Sequence, residues 1–293
     1  MQIAAMTSVF YSQRNNDSKI PAIESIRRLR KAGFFHIDLN LCGMSRGEQE
    51  FCGDNWKKQA DLLRNEAEKL GVTFVQSHAP YYKNVQNQAD KDEYEAYFKK
   101  MLLRSVDIIG MMGIRYSVVH PVQDIMALPE DKIAHLNRTR QIHLPFMEKA
   151  RKLGIASAYE NTIGRETPKG FCVGAEDLIM LCDAFKDFNA GVCWDFGHGN
   201  LSFEDQCTQI SQLKGRVLCV HIHDNKGRND DHVMPFMGNV PWEKVLPTMR
   251  KTGFSNELVL EVAQNANMPD ELKHESTLLM AHASRLLIQM FEA

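Results

Sequence analysis

Six glycines punctuate this chain: Gly33, Gly71, Gly113, Gly154, Gly215 and Gly253. Each closes a stretch of helical periodicity and stands a residue or two before an apolar run of strand length. A glycine at that point adopts the left-handed conformation that ends a helix, with no β-carbon to oppose it. The interval between them, on the order of 30 to 40 residues, is that of one strand–helix unit. Strands are expected over 3–10, 34–41, 72–76, 116–119, 156–159, 190–194, 216–220 and 258–260. Helical patterns lie between them. Ser18 is the expected cap of the first, with Pro21 in its first turn; others cover 56–70 and 203–214. Pro241 and Pro269-Asp270 open the last two. Eight such pairs in 293 residues predict one domain, 1–293, folded as a (β/α)8 TIM barrel. A doubly wound sheet is disfavoured, because no G-x-G-x-x-G turn follows an early strand.

Composition narrows the function classes. A hydrophobic fraction of 44% supports a sizeable core, and a net charge of -2 gives no basic footprint for nucleic acid or an anionic membrane. No apolar run reaches the roughly 18 residues of a membrane helix. The start, Met1-Gln2-Ile3-Ala4, lacks a basic n-region and apolar signal core. Seven scattered cysteines without a C-x-x-C pair read as reduced thiols, with Cys193 and Cys219 as small core fillers. A cytoplasmic location is expected.

The apolar strands end in polar residues. In a barrel every strand's C-terminal end points to one rim. That rim would gather Asp38 and Asn40, His78, His120, Glu160, Asp195 with His198, His221 with His223, and Glu261. Asp38 could equally be a helix cap or a rim ion-pair partner. His36, His135, His143, His274 and His282 lie off the strand ends and read as surface or core residues. Several carboxylates and imidazoles on one rim repel or desolvate each other unless a cation joins them. Mixed oxygen and nitrogen donors suit Mn²⁺, Mg²⁺, Co²⁺ or Zn²⁺. The long βα loops 42–55, 162–174 and 225–240 are where a barrel keeps its site.

These endings also resemble a known superfamily. Its carriers are Ser77-His78-Ala79-Pro80, Val119-His120-Pro121, Tyr159-Glu160-Asn161, Trp194-Asp195-Phe196-Gly197-His198, His221-Ile222-His223-Asp224-Asn225, Asp230-Asp231-His232 and Leu260-Glu261. In order and at strand ends, they are similar to the xylose-isomerase-like barrels. That superfamily holds sugar isomerases and epimerases and the endonuclease IV type of abasic-site nuclease. The resemblance implies one divalent metal ion held by Glu160, Asp195, His221 and Glu261. It implies Glu160 and Glu261 as the catalytic acid–base pair of a ketose or keto-sugar isomerase or epimerase working through an enediolate. His78, His120, Glu166, His198, His223, Arg228, Asp230 and His232 are the implied substrate-binding residues. The partner is a small-molecule sugar or cyclitol, and pairing into a homo-oligomer follows from the resemblance alone.

The nuclease branch offers an alternative. Its three-zinc site would match His78, His120, Glu160, Asp195, His198, His221, Asp230, His232 and Glu261, so a second ion at His198, Asp230 and His232 stays open. Against it, His223 stands where the nucleases usually have Asn, and no βα loop interleaves Arg or Lys with aromatics for DNA kinking. A sugar lyase and a non-catalytic sugar-binding protein are further alternatives.

Overall fold

A computed structural model of the chain describes residues 1–10, 20–83, 88–123, 127–164, 170–264 and 268–293, with the backbone alone at 88 and 89. Eight parallel strands close on themselves in chain order. They are β1 (Ile3–Met6), β2 (His36–Asn40), β3 (Thr73–His78), β4 (Tyr116–Val119), β5 (Ala156–Glu160), β6 (Ala190–Asp195), β7 (Val217–Ile222) and β8 (Leu258–Leu260). The surrounding helices are α1 (Ala22–Lys31), α2 (Trp56–Leu70), α3 (Gln88–Met111), α4 (Lys132–Lys152), α5 (Ala175–Ala184), α6 (Phe196–Ser202), α7 (Cys207–Gln212), α8 (Trp242–Lys251) and α9 (Asp270–Glu292). The chain is a (β/α)8 barrel. The six punctuating glycines all have φ between +63° and +97°.

Strand parity decides what the barrel presents inside. Val119, Tyr159, Trp194, Val220 and Leu260 pack in the large core between sheet and helices. Their neighbours Val118, Ala158, Cys193 and Cys219 form a separate small cluster. Successive side chains alternate faces, so one further step turns His120, Glu160, Asp195, His221 and Glu261 inward at the rim. The register then aligns them: Glu160 pairs with Cys193, and Asp195 with His221. The β6–β7 register shifts between Val192 and Cys193, just below the rim. The two cysteines are the expected core fillers, and all seven thiols are free.

The structure corrects three local expectations. The first strand stops at Met6, and Thr7–Phe10 turns as a 3₁₀ helix. There Thr7 Oγ1 accepts the Asn40 N–H at 3.0 Å, which takes the chain off the sheet. Pro21, not Ser18, is the cap position of α1, and Ser18 lies outside the described residues. The helix expected over 203–214 is the shorter α7, Cys207–Gln212, and a separate helix, α6, precedes it at Phe196–Ser202. Asp195 starts α6 early by accepting the His198 N–H at 2.7 Å. Of the two roles expected for Asp38, the ion pair is the one seen: it is buried, with its Oδ2 4.0 Å from His221 Nε2.

Candidate metal centre

Among the described residues, the inward rim residues meet in four overlapping donor groups. Glu160, Asp195, His221 and Glu261 bring one donor atom each within 4.8 Å of one another. His78, His120 and Glu160 do the same, as do His198, His223, Asp230 and His232, and His78, His221 and Glu261. Glu160 belongs to the first two groups. Its Oε1 lies 3.0 Å from His221 Nδ1, and its Oε2 lies 3.2 Å from His78 Nε2 and 3.0 Å from His120 Nε2. His221 Nδ1 also lies 2.9 Å from Glu261 Oε2.

The imidazoles are oriented before anything binds. His78 Nδ1 faces the Ala79 carbonyl at 3.0 Å, His198 Nδ1 the Asn161 carbonyl at 2.8 Å, and His232 Nδ1 the Glu261 carbonyl at 2.8 Å. A ring that donates from Nδ1 to a carbonyl turns its Nε2 lone pair toward the cluster. His221 is reversed: Gln76 Nε2 holds its Nε2 at 3.1 Å, and Nδ1 faces the carboxylates. Asn161 ties the first group down as well. Its side chain clamps the Asp195 backbone at 2.6 Å and 3.0 Å.

Asp230 and His232 arrive on the loop after β7, which Asp224 organises. The Asp224 carboxylate accepts from Asn225 N, Phe236 N, Val240 N and Trp242 Nε1 at 2.9 to 3.2 Å. The loop then sets His232 Nε2 3.0 Å from Asp230 Oδ2 and brings His198 Nε2 within 3.5 Å of the same oxygen.

Without a cation the cluster balances itself with protons. Burial works against a charged His78, but Cys42 and Glu160 hold its pKa well above the imidazole range. Burial likewise opposes charge on His198 and His221; Asp195, Asp230 and Glu160 raise the first, and Cys193 with Glu261 and Glu160 raises the second. His232 rises to about 9, mainly through Asp230, against its burial. Burial favours the protonated form of Glu160, Glu261 and Asp230, yet the imidazoles hold all three below the carboxylate range. Asp38 is the exception, pushed up to about 6 by burial.

The residues fit a divalent metal. The Nε2 atoms of His78 and His120 stand 3.1 Å apart, so two lone pairs would oppose each other without a proton or cation between them. His221 Nδ1 carries at most one proton but faces two carboxylates. Asp230 Oδ1 and Glu261 Oε2 are buried and make no aligned hydrogen bond. A shared cation answers all of these at once.

Most of the expected site residues converge here. A cavity of about 550 Å³ opens over them, lined by His78, His120, Glu160, His198, Asp230, His232 and Glu261 among others. Asp195, His221 and His223 are buried beneath its floor. His223, an expected substrate contact, is thus set below the cavity and not in its lining. Its ring stacks on His232 at 3.9 Å and fills the space that Gly197 leaves, where a β-carbon would lie 2.0 Å from His223 Cε1. Arg228 is exposed and lies outside the residues that line the cavity. Glu166 lies outside the described residues. Sequence reasoning missed the opposite wall: Cys42, Arg46, Glu48 and Gln49 from the loop after β2, with Tyr81 after β3. The length of that loop was the signal; nothing in its residue types singled out the wall. Arg46 there bonds Glu48 at 2.7 Å and the Tyr81 hydroxyl at 2.8 Å.

A closed parallel barrel with donor groups of this kind at its C-terminal rim defines a (β/α)8 protein with a candidate metal centre. The family is narrower still. Residues 26–281 match the xylose isomerase-like TIM barrel family, and the chain belongs to it. Among curated relatives, the y4fM protein of Sinorhizobium fredii is 31% identical over 104 residues, 36% of this chain and 32% of that protein. The probable endonuclease 4 of Mycoplasma capricolum is 23% identical over 202 residues, 64% of this chain and 67% of that protein. Among solved structures, a D-tagatose 3-epimerase-like protein superposes with a TM-score of 0.71 at 17% identity, over 100% of this chain and 98% of the other. A D-psicose 3-epimerase crystallised in the presence of D-fructose gives 0.71 at 14%, over 98% and 99%. At these identities the structural likeness is one of fold.

Proposed function

We propose that this chain is a divalent-metal-dependent epimerase or isomerase of a ketose or keto sugar. One observation carries the reading: the Glu160 and Glu261 carboxylates, from strands on different sides of the barrel, converge with Asp195 and His221 within 4.8 Å under an open polar cavity. Shape agreement with the epimerases supports the fold such chemistry uses.

Glu160, Asp195, His221 and Glu261 would hold the ion. When bound, it supplies positive charge to an oxyanion developing on the substrate. One of the two glutamates, ionised, takes the proton from the carbon beside the substrate carbonyl, and the electron pair moves onto the carbonyl oxygen. The other glutamate, protonated, returns a proton to the opposite face, so the protons balance. Like charge favours such a split, since the Glu160 carboxylate pushes Glu261 toward holding a proton even though His221 outweighs it in the bare cluster. His78, His120 and His198 line the cavity above these carboxylates, where they would meet substrate oxygens. Gln49 and Arg46 wall the far side, where sugar hydroxyls would lie.

Incubating the metal-loaded protein with a panel of ketoses in D₂O tests this. Deuterium should enter next to the carbonyl; no exchange across the panel would sink the proposal. Glu160→Gln and Glu261→Gln should abolish exchange. If they bind sugar unchanged and no turnover exists to lose, the chain is a binding protein.

A second reading, an abasic-site nuclease, has its own observation: the nine expected residues fall into overlapping donor groups, and His223 joins that of His198, Asp230 and His232. The endonuclease 4 relative points the same way. Metal counting decides between them. Three ions per chain and cleavage of an abasic duplex favour the nuclease; one ion and no cleavage exclude it.

A further inference from the structure

The outer face of α9 carries an apolar stripe. Leu272, Leu279 and Leu286 are each half-exposed and stand seven residues apart, on one side of the helix. Next to it, the loop after β7 turns Phe236 and Met237 outward, also half-exposed. Phe236 does so at φ +73°, a conformation that a residue with a β-carbon resists. Its N–H is held by Asp224 Oδ2 at 3.0 Å. Between loop and helix lies a groove of about 470 Å³, lined by Met234, Phe236, Met237, Leu279, Ala283 and Leu286. Strained backbone that holds an aromatic against solvent beside an apolar stripe marks a contact surface.

The charges along the stripe say what covers it. Exposed Glu271 and Glu275 stand in the N-terminal half of α9, exposed His282 and Arg285 in the C-terminal half. Among the described residues, neither glutamate has an ion-pair partner, and Arg285 turns only to the Ala281 carbonyl at 3.4 Å. A face that is acidic at one end, basic at the other and apolar throughout complements itself when turned by 180°. That is the requirement for an isologous interface.

We propose that this face joins two copies of the chain about a twofold axis at the level of Leu279, with the two α9 helices antiparallel. At 1.5 Å per residue, Leu272 and Leu286 stand about 10 Å either side of that axis. Leu279 then meets the partner's Leu279, and Leu272 meets the partner's Leu286. Glu275, about 6 Å from the axis, comes opposite the partner's Arg285, about 9 Å from it, within reach of the long arginine side chain. Parallel helices would set Glu275 against Glu275 and Arg285 against Arg285. The pairing also braces the site, because the loop that presents Phe236 and Met237 is the one that carries Asp230 and His232. It does not depend on which reaction the site performs.

Sedimentation velocity of the full chain up to about 100 µM should give twice the chain mass. Leu279→Arg should weaken the dimer by about tenfold or more, with an unchanged circular dichroism spectrum. Glu275→Arg and Arg285→Glu should each weaken it, and the two together should restore it, since the pair is rebuilt with its signs exchanged. A wild-type chain that stays monomeric overturns the proposal. So does a dimer indifferent to Leu279→Arg, or a double variant no tighter than the single ones. A monomer that sediments with phosphatidylcholine–phosphatidylserine vesicles overturns it too, and assigns the face to a lipid surface.

Discussion

Two sets of buried histidines in this molecule behave in opposite ways. His143 sits in the helical shell, stacked on Tyr159 at 5.8 Å with Nδ1 3.1 Å from the Tyr159 hydroxyl. Burial, helped by the positive side of His120, lowers its pKa to about 3. His78, His198 and His221 are buried too, and His232 is largely so, yet all four are raised. The residue type is the same and burial pushes every one of them down. What differs is the presence of Glu160, Asp195, Asp230 and Glu261 at the rim. The shell histidine is a neutral packing group; the rim histidines belong to a charge cluster that a cation can replace.

Glu160→Ala should break this contrast hardest. Glu160 is shared by two donor groups and faces His78, His120 and His221. Its loss should reduce metal affinity by about a hundredfold or more, and the deuterium exchange with it. Asp195→Ala should follow, because it also removes the cap of α6 and the contact with His223. Elemental analysis after dialysis against a weak chelator is the measurement. Retained metal in either variant would remove that residue from the ligand set.

His143 offers the next effect, on stability against pH. Its folded pKa is depressed below the imidazole value, so the unfolded chain binds the extra proton first. Stability is therefore lost as pH falls below about 6.5 and goes on falling toward the folded value near 3. The slope is about 1.4 kcal/mol per pH unit within that window, a few kcal/mol in all. His143→Leu should be less stable at pH 7 by about 1–3 kcal/mol, because the Tyr159 hydroxyl loses its partner, but its acid slope should be flatter. Denaturant unfolding of both proteins from pH 7 to pH 4 checks this; parallel curves would show that His143 is not neutral when folded.

The two sets also mark how far the sequence was legible. Eight strand–helix units could be read because each glycine turn has a local cause that needs no tertiary contact. The rim carboxylates and histidines were legible because alternation and the barrel's single polarity force strand ends together. The floor under the cavity was not. That His223 faces down rather than out depends on the room at Gly197 and on His232 stacking above it, contacts separated by 26 and 9 residues. Asp38 is hidden for the same reason, since its partner His221 comes from the far side of the barrel. The wall from Cys42, Arg46 and Gln49 has no periodic signature, because a loop's side chains follow its path and not a repeat.

The smallest effect lies in the Asp230–His232 pair, and its sign depends on pH. His232 is raised to about 9, so in the metal-free protein its contribution is present in full below the unfolded value of about 6.5 and fades as pH rises through 9. Asp230 is depressed, so its contribution is present above its unfolded value near 4 and fades as pH falls below that. The pair is therefore strongest between about pH 4 and 6.5. His232→Gln should cost about 2 kcal/mol there and progressively less toward pH 9, with His198 still beside Asp230 to limit the loss. An ion held by His198, Asp230 and His232 should erase this pH dependence, because it would take the proton's place on the imidazole, whereas an ion held by the Glu160 group alone should leave it. Thermal melts at pH 5.5 and 9, with chelator and with metal, separate the cases. A wild-type minus His232→Gln difference that is the same at both pH values in chelator would mean that His232 is neutral in the bare cluster, and the division between shell and rim histidines would then fall at Asp230.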